Sequence, residues 1–225
     1  MGSPPVKAFG QASEPRAAWA ESGYRPEDEG LREIRERSAA AGLPSIQVGR
    51  FDGLHREVLA RACGARTAVE IGTLGGYSGV CLLRGMGAGG FLHTFELEPR
   101  HAQVARESFR RAGVERQVEI HVGPALERLA DVAPRGPFDL VFVDADKLGY
   151  PAYLAWAEEH LRVGGVVLAD NTFGFGHVHE ARPEGESPEA MAALRRFSER
   201  LAGGGRFRAT MLPTAEGLSL GVKTG

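Results

Sequence analysis

The sequence is poor in cysteine and contains no long apolar run. Its 225 residues include two cysteines, Cys63 and Cys81. This number and spacing exclude a disulfide framework and a zinc–thiolate motif, so we expect two buried or half-buried thiols in a reducing compartment. No apolar stretch approaches the roughly 20 residues needed to cross a bilayer. The first residues also lack the layout of a signal peptide. We therefore expect a cytoplasmic protein with no membrane partner.

An excess of basic residues is also absent. The chain carries 27 Lys and Arg against 29 Asp and Glu, a formal net charge of −2. This balance argues against general binding to nucleic acid, which usually requires a basic surface. The hydrophobic content of 43% and charged content of 25% are ordinary for a soluble globular protein.

Strand-like apolar segments alternate with helical segments along most of the chain. This rhythm predicts an α/β fold, a doubly wound, mostly parallel seven-stranded sheet with helices on both faces. The last two strands should form an antiparallel hairpin around the turn at 213–217. The predicted strands are Thr67–Ile71, Phe91–Phe95, Gln117–Val122, Asp139–Val143, Val166–Ala169, Phe207–Leu212 and Leu218–Val222.

We expect one domain over residues 1–225, with a helical extension at 1–45 and a core at 46–225. A Pro- and Glu-rich stretch predicts a variable loop near 172–188. Helices are predicted to start at Ser78 and near Tyr150, and to span Arg100–Ala112 and about Pro188–Leu201.

Polar side chains follow two predicted strands where each strand ends. Asp144 comes directly after one strand, and Asp170 and Asn171 follow the next one. The carboxyl ends of parallel strands meet at one edge of a sheet, so these side chains should lie close together. Three oxygen ligands suit a hard cation, with Mg²⁺ favoured and Ca²⁺ or Mn²⁺ as alternatives. Lys147, beside such a cation, is a candidate general base.

A glycine-rich turn at 72–79 follows the first strand and opens a helix. Its spacing is not the Gly-x-Gly-x-x-Gly of dinucleotide-binding proteins. Glu70, beside the helix start, would repel a pyrophosphate but attract a cationic ligand. Glu96 ends the second strand, where a carboxylate can bind ribose hydroxyls. A ligand with a ribose, an amino group and no phosphate fits both acids, which predicts S-adenosylmethionine (SAM).

Five motifs in register resemble the cation-dependent O-methyltransferases, the caffeoyl-CoA and catechol O-methyltransferase group. The resemblance runs from about Ile46 to Val222. Its motifs are Glu70-Ile71-Gly72-Thr73 with Gly76-Tyr77-Ser78, Glu96-Leu97-Glu98-Pro99, Gly123-Pro124-Ala125-Leu126, Asp144-Ala145-Asp146-Lys147 and Asp170-Asn171.

The resemblance implies a role for each matching residue. Asp144, Asp170 and Asn171 would hold the metal, and Lys147 would act as the base, with Asp144 also taking part in catalysis. Glu96 would bind the ribose hydroxyls. The remaining SAM contacts would come from Val48, Glu70, Gly72, Thr73, Ser78 and Asp144 around the methionine moiety, and from the backbone amide of Ala125 at the adenine ring.

The expected activity is transfer of the SAM methyl group to one hydroxyl of a vicinal-dihydroxy aromatic. The alternatives are a Rossmann-type nicotinamide dehydrogenase and a noncatalytic binding protein with a methyltransferase fold. A homodimer is expected from the resemblance, and because the N-terminal helices have no clear partner within the chain. The strand-end acids are expected to have no role in core packing.

Some charged residues near these motifs have ordinary explanations. Asp146 lies two positions after Asp144 and would point away from it in an extended chain, which favours a turn or capping role. Arg106, Arg110 and Arg111 form a basic stripe that we interpret as a solvated helix face.

Overall fold

The computed structural model describes residues 14–24, 26–180 and 187–225. Within these ranges the chain forms α-helices and one mixed sheet. The helices are α1 (Glu14–Tyr24), α2 (Glu29–Ala40), α3 (Arg50–Ala62), α4 (Tyr77–Met86), α5 (Pro99–Arg111), α6 (Ala125–Val132), α7 (Tyr150–His160) and α8 (Pro188–Gly203). The strands are β1 (Thr67–Ile71), β2 (Phe91–Glu96), β3 (Val118–Val122), β4 (Phe138–Val143), β5 (Leu161–Ala169), β6 (Phe207–Leu212) and β7 (Leu218–Lys223).

The seven strands lie in the order β3-β2-β1-β4-β5-β7-β6. Strands β1 to β5 pair in parallel, while β7 runs antiparallel to β5 and to β6. The direction of winding reverses between β1 and β4, and α/β proteins bind their ligands at the carboxyl ends of the strands at such a point. This topology confirms the predicted doubly wound sheet and its C-terminal antiparallel hairpin.

Two hydrophobic cores cover the faces of the sheet. Successive residues of β4 point to opposite faces, so Leu140 and Phe142 join a core formed with α2 to α5. Val141 and Val143 join a second core formed with α6 to α8. Cys81 is buried and Cys63 is partly buried, as predicted from the cysteine content. Because both faces are covered, the polar ends of the strands are the natural place for a site.

Several boundaries differ from those predicted. Strand β5 begins at Leu161, five residues before the predicted start, because the chain stays paired with β4 across Gly164 and a register shift near Phe138. Helices α3 and α6 were not predicted. The buried residues of α3 are Gly53, Arg56 and Ala60, and α6 has eight residues with Leu129 and Val132 buried, so neither helix gives a clear apolar period in the sequence.

The N-terminal extension is docked on the core through α2. Asp28 caps the start of the helix, and its side chain accepts a hydrogen bond from the Leu31 backbone nitrogen at 3.0 Å. Leu31 and Ile34 are buried in the first core, where α2 contacts α4 and α5. The expectation that the N-terminal helices lack a partner within the chain is therefore wrong for α2. On α1, the Trp19 side chain stays exposed.

No helix in the described part of the chain combines the length and apolarity required to cross a bilayer. The longest, α8, has 16 residues and carries several charged side chains. Arg110 and Arg111 of the predicted basic stripe pair with Glu107 on the exposed face of α5, as interpreted from the sequence.

The approach of α3 to α4 depends on a glycine. A Cβ atom at Gly85 would lie 2.2 Å from the Glu57 carbonyl oxygen and 2.8 Å from the Ala60 Cβ. Both atoms belong to α3, and one of them is backbone, so the helices would have to separate to accept a larger residue.

We predict that Gly85→Ala lowers the free energy of unfolding by roughly 1–3 kcal/mol, the usual cost of overpacking a core. Urea denaturation followed by circular dichroism would measure it. Gly203→Ala is the matched control, because Gly203 also lies in a helix and a Cβ there meets no atom within 4 Å. The control should be neutral or slightly stabilising. Equal stability of the two variants would contradict the prediction.

Candidate active site

The structure brings the predicted strand-end side chains together at the carboxyl edge of β4 and β5. The Asp144 nitrogen bonds the Ile71 carbonyl at 2.8 Å, and the Asp170 nitrogen bonds the Val143 carbonyl at 3.0 Å. These bonds continue the parallel ladder by one residue beyond each strand. The two aspartates therefore lie side by side at the edge, as the sequence predicted.

Asn171 turns out of the sheet in a left-handed conformation, with φ of 54°. Asparagine tolerates this region because its short polar side chain bonds locally. The Asn171 nitrogen donates to Asp170 Oδ1 at 2.9 Å, and Asn171 Oδ1 accepts from Lys147 Nζ at 2.9 Å. The turn thus directs Asn171 Oδ1 toward Lys147 Nζ.

Lys147 lies at the start of a 3₁₀ turn, Lys147–Gly149, that follows β4. The turn brings Nζ to 3.7 Å from Asp144 Oδ1. Burial lowers the pKa of the Lys147 ammonium, while the neighbouring carboxylate of Asp144 opposes this shift. Burial therefore increases the neutral fraction of the amine at a given pH, which is the form a general base requires.

Asp146 caps this turn. Its Oδ2 accepts from the Gly149 nitrogen at 2.7 Å, and its Oδ1 accepts from the Tyr153 hydroxyl at 2.5 Å. The capping role predicted for Asp146 is confirmed.

Tyr150 connects the lysine to the second strand end. Its hydroxyl accepts from Lys147 Nζ at 2.8 Å and donates to the Asp170 carbonyl oxygen at 2.8 Å. The ring is fully buried and packs edge-on against Phe197 of α8. Tyr150 therefore holds the Lys147 side chain in place from within the core.

Arg56 on α3 is a site residue that sequence reasoning missed. It is fully buried, its Nη2 lies 2.6 Å from Asp170 Oδ2, and its guanidinium lies over the Phe142 ring at 4.4 Å. Its Nη1 donates to the Asp52 carbonyl at 2.5 Å. The spacing of buried Gly53, Arg56 and Ala60 could have indicated it, but only if α3 had been predicted.

This ion pair corrects the expectation that the strand-end acids have no packing role. For Asp144, which is partly exposed, the expectation stays a prediction. It is wrong for Asp170. Removal of one partner of a buried ion pair leaves an uncompensated charge and typically costs about 3–5 kcal/mol.

The Asp144 carboxyl has an unusual pKa. Burial, and then the nearby charge of Asp170, raise it to about 6, against the attraction of Lys147 and Arg56. Two carboxylates at one point repel each other, and a cation between them would remove that repulsion. The donor set of two carboxylates and one amide oxygen therefore fits a hard divalent cation.

A cavity of about 470 Å³ opens beside this group, at the point where the winding reverses. Asp144 lines it and so belongs both to the strand-end group and to the cavity wall. Of the residues predicted to contact SAM, those that line it are Val48, Gly72, Thr73, Ser78, Glu96, Ala125 and Asp144. Helix α2 contributes Arg35 and Ser38, which the sequence did not predict.

Glu96, at the end of β2, is fixed by contacts from three directions. Its Oε2 accepts from the Leu74 nitrogen at 2.7 Å, and its Oε1 accepts from the Glu98 nitrogen at 3.0 Å. His101 Nδ1 lies 3.3 Å from the same Oε1. The carboxylate is held at the cavity wall in a single orientation.

Glu70 is fully buried and is not among the residues that line the cavity. Its Oε2 accepts from the Thr94 hydroxyl at 2.7 Å, while its Oε1 has no hydrogen-bond partner. Burial raises its pKa to about 7, against hydrogen bonds from Ser78 and Thr94. Ser78 also lines the cavity. An unpartnered buried carboxylate oxygen fits a cationic ligand nearby.

Gly72 lets β1 approach β4 at the floor of the cavity. Its φ is +102°, and a Cβ atom there would lie 1.9 Å from the Asp144 carbonyl oxygen. Any other residue would displace Asp144, so this glycine is required by close backbone approach.

Comparison with known proteins agrees with this geometry. A family model described as O-methyltransferase matches residues 20–224. The catechol O-methyltransferase of Mycobacterium tuberculosis is 43% identical over 178 residues, which cover 79% of each chain. The catechol O-methyltransferase of Niastella koreensis is 37% identical over 188 residues, covering 83% of this chain and 84% of the relative.

Solved structures show the same fold with cofactor bound. The Bacillus cereus O-methyltransferase in complex with S-adenosylhomocysteine (SAH) superposes with a TM-score of 0.84 at 36% identity, covering 92% of this chain and 96% of that one. TomG of Streptomyces achromogenes, in complex with SAM, gives 0.81 at 37% identity, covering 88% and 91%. The matched proteins are O-methyltransferases, so they support neither of the two alternatives, a nicotinamide dehydrogenase and a noncatalytic binding protein. The chain belongs to the O-methyltransferase family and is a SAM-dependent O-methyltransferase.

Proposed function

We propose that this O-methyltransferase is cation-dependent and methylates one hydroxyl of a vicinal-dihydroxy aromatic. The observation that carries the proposal is the cluster of Asp144, Asp170 and Asn171 oxygens with the Lys147 amine, next to the cofactor cavity. Asp144 belongs to this cluster and also lines the cavity, so the acceptor site would adjoin the methyl donor.

The donor set selects the class of cation. Asp144, Asp170 and Asn171 offer only oxygen atoms, which favours Mg²⁺, with Ca²⁺ or Mn²⁺ as alternatives. Asp170 enters this set already charge-balanced by Arg56 at 2.6 Å. Burial, and then the nearby charge of Asp170, raise the pKa of Asp144 to about 6, and a cation beside this carboxyl would favour its ionised form.

The acceptor class follows from the chemistry of such a site. When bound, the cation would chelate two adjacent acceptor oxygens and lower the pKa of the hydroxyl to be methylated. Two relatives that match over most of their length are catechol O-methyltransferases, which supports a catechol-type acceptor here. No nucleic-acid or membrane partner is proposed.

Lys147 would accept the proton of the attacked hydroxyl at Nζ. The acceptor oxygen then forms a bond to the methyl carbon while the carbon–sulfur bond breaks, and the bonding pair remains on sulfur to give SAH. Tyr150 and Asn171 keep the amine in position through bonds of 2.8 and 2.9 Å. Most of the acceleration should come from holding oxygen and methyl in near-attack geometry.

We assign the parts of SAM to residues in and behind the cavity wall, as the sequence motifs imply. Glu96 would bind the ribose hydroxyls, and the Ala125 backbone amide would meet the adenine ring. The methionine moiety would lie among Val48, Glu70, Gly72, Thr73, Ser78 and Asp144. Glu70 is buried, so it would act on the amino group from behind Ser78, through the oxygen that has no partner.

We predict that excess EDTA followed by dialysis abolishes activity, and that Mg²⁺ restores it, because the three proposed ligands are oxygen donors. A methylation assay on a catechol, with mass detection of a single methyl gain, would measure this. Asp144→Asn should need far more Mg²⁺ for half-maximal rate. Asp131→Asn, an exposed acid on α6 paired with Arg128, is the matched control. Full turnover in EDTA would refute cation dependence.

We predict that Lys147→Met lowers the maximal rate while SAM and metal affinities stay nearly unchanged. Loss of a general base typically costs about 10²–10⁴-fold, and the lower end applies if the cation already acidifies the hydroxyl. The rate should partly recover as pH rises, since more of the acceptor then ionises without help.

Lys147→Arg distinguishes this role from simple charge balance, because Lys147 also lies 3.7 Å from Asp144. Arginine keeps the positive charge but does not deprotonate. It should be as slow as the methionine variant if Lys147 is the base. A near-normal rate for Lys147→Arg, or a pH–rate profile of Lys147→Met that parallels wild type, would assign Lys147 an electrostatic role instead.

We also propose a homodimer that uses α1, where the Trp19 and Tyr24 rings are 73% and 67% exposed. Light scattering at micromolar concentration should give twice the 24.1 kDa of one chain. Trp19→Ser with Tyr24→Ser should shift the mass toward the monomer, whereas Val163→Ser, another exposed apolar residue, should not. A monomeric mass for the wild type would exclude the dimer.

A further inference from the structure

Two histidines and a glutamate meet on one face of the edge strand pair β2–β3, away from the strand-end acids. His93 on β2 lies directly opposite Glu119 on β3, and His121 follows Glu119 by two residues. Residues two apart on a strand share a face. The three side chains therefore project from the same surface, and the edge position of β3 leaves one side open.

The three candidate ligand atoms of this cluster lie close together. His93 Nδ1 lies 3.2 Å from His121 Nε2 and 3.6 Å from Glu119 Oε2, and all three ligand atoms lie within 4.8 Å of one another. Ligands about 2.0–2.1 Å from one tetrahedral zinc ion are separated by about 3.3 Å. Small side-chain shifts would bring the atoms around a common centre.

The surroundings hold the two imidazoles in place. His121 stacks on Phe95 with ring centroids 4.8 Å apart, and His93 lies between Phe91 and Phe138. Both histidines are buried, which lowers their pKa values and keeps the rings neutral. A neutral imidazole has a lone pair available for a metal.

We propose that His93, Glu119 and His121 bind a borderline divalent transition-metal ion of the Zn²⁺ type. The two nitrogen donors distinguish this site from the all-oxygen set at Asp144 and Asp170, which suits harder cations. The Glu119 side chain is 42% exposed, which leaves room for water as a fourth ligand. The bound ion would link the edge strand β3 to β2. This site does not depend on the cation or the acceptor proposed at the strand ends.

Arg135 is the group that competes with the ion. Its Nη1 lies 2.7 Å from Glu119 Oε2, and its side chain is 53% exposed. Exposed ion pairs of this kind are weak, so the arginine can move into solvent when Glu119 turns to a metal. Arg135→Ala should therefore tighten Zn²⁺ binding by roughly two- to fivefold, the equivalent of one exposed pair.

The test uses the full chain, free of any histidine tag, labelled with ¹⁵N and stripped of metal. Zn²⁺ is added while long-range ¹H–¹⁵N spectra of the imidazole rings are recorded, without SAM or acceptor. The proposed metal ligands at the active site include no imidazole, so shifts of the His93 and His121 rings report on the new site. We expect saturable shifts of His93 and His121.

His121→Phe should remove these shifts, and Glu119→Gln should weaken binding by at least about tenfold, the effect of even an outer-shell change. The matched control is the double variant His177→Ala with His179→Ala, because both imidazoles lie outside the cluster. This variant should bind Zn²⁺ as the wild type does. Glu119 is partly exposed, so its variant decides the question if His121→Phe does not fold.

Three results would overturn the proposal. They are the absence of shifts at His93 and His121 up to saturating Zn²⁺, shifts confined to His177 and His179, and unchanged affinity in a folded Glu119→Gln variant. Activity is not a readout of this experiment. A failure of the proposed methyl-transfer chemistry would therefore leave its outcome unaffected, and the two can fail separately.

Discussion

The buried ion pair between Arg56 and Asp170 connects the packing of this fold to its candidate active site. Arg56 reaches from α3 across the Phe142 ring to an acid at the end of β5. A charge inside the core is tolerated only when it is paired and hydrogen-bonded. The position of α3 therefore depends on the charged state of Asp170, and the orientation of Asp170 depends on α3. Gly85 then lets α4 pack closely against the same helix.

The site gathers two acids and two bases around one point. Arg56 balances Asp170, while Lys147 partly balances Asp144, whose pKa stays raised to about 6. The protein thus preorganises two pairs of opposite charges at the strand ends, held by backbone bonds to β1 and β4. Such preorganised electrostatics cost no rearrangement when charge moves during a reaction. The Tyr150 hydroxyl completes the arrangement by linking Lys147 to the strand-end backbone.

Sequence patterns predicted those features that depend on a single strand and on the residues that follow it. Buried apolar runs that stop at Asp144 and at Asp170 placed both acids at one edge, and the Asp-x-x-Lys spacing placed Lys147 beside them. Patterns failed where a contact joins distant segments. Arg56 was missed because its partner Asp170 lies 114 residues away, and because the buried residues of its own helix α3 are Gly53, Arg56 and Ala60. The pairing of His93 with Glu119 was likewise invisible until β2 and β3 were known to be neighbours.

Helix α2 forms part of the candidate cofactor cavity through Arg35 and Ser38, while its apolar face is buried against α4 and α5. The wall of the cavity is thus shared between the sheet and a segment that precedes it in the chain. Any ligand that touches both sides adds its own binding energy to the docking of α2. Binding of the cofactor and docking of α2 would then be coupled. A change that weakens the docking of this helix would lower the affinity for the cofactor.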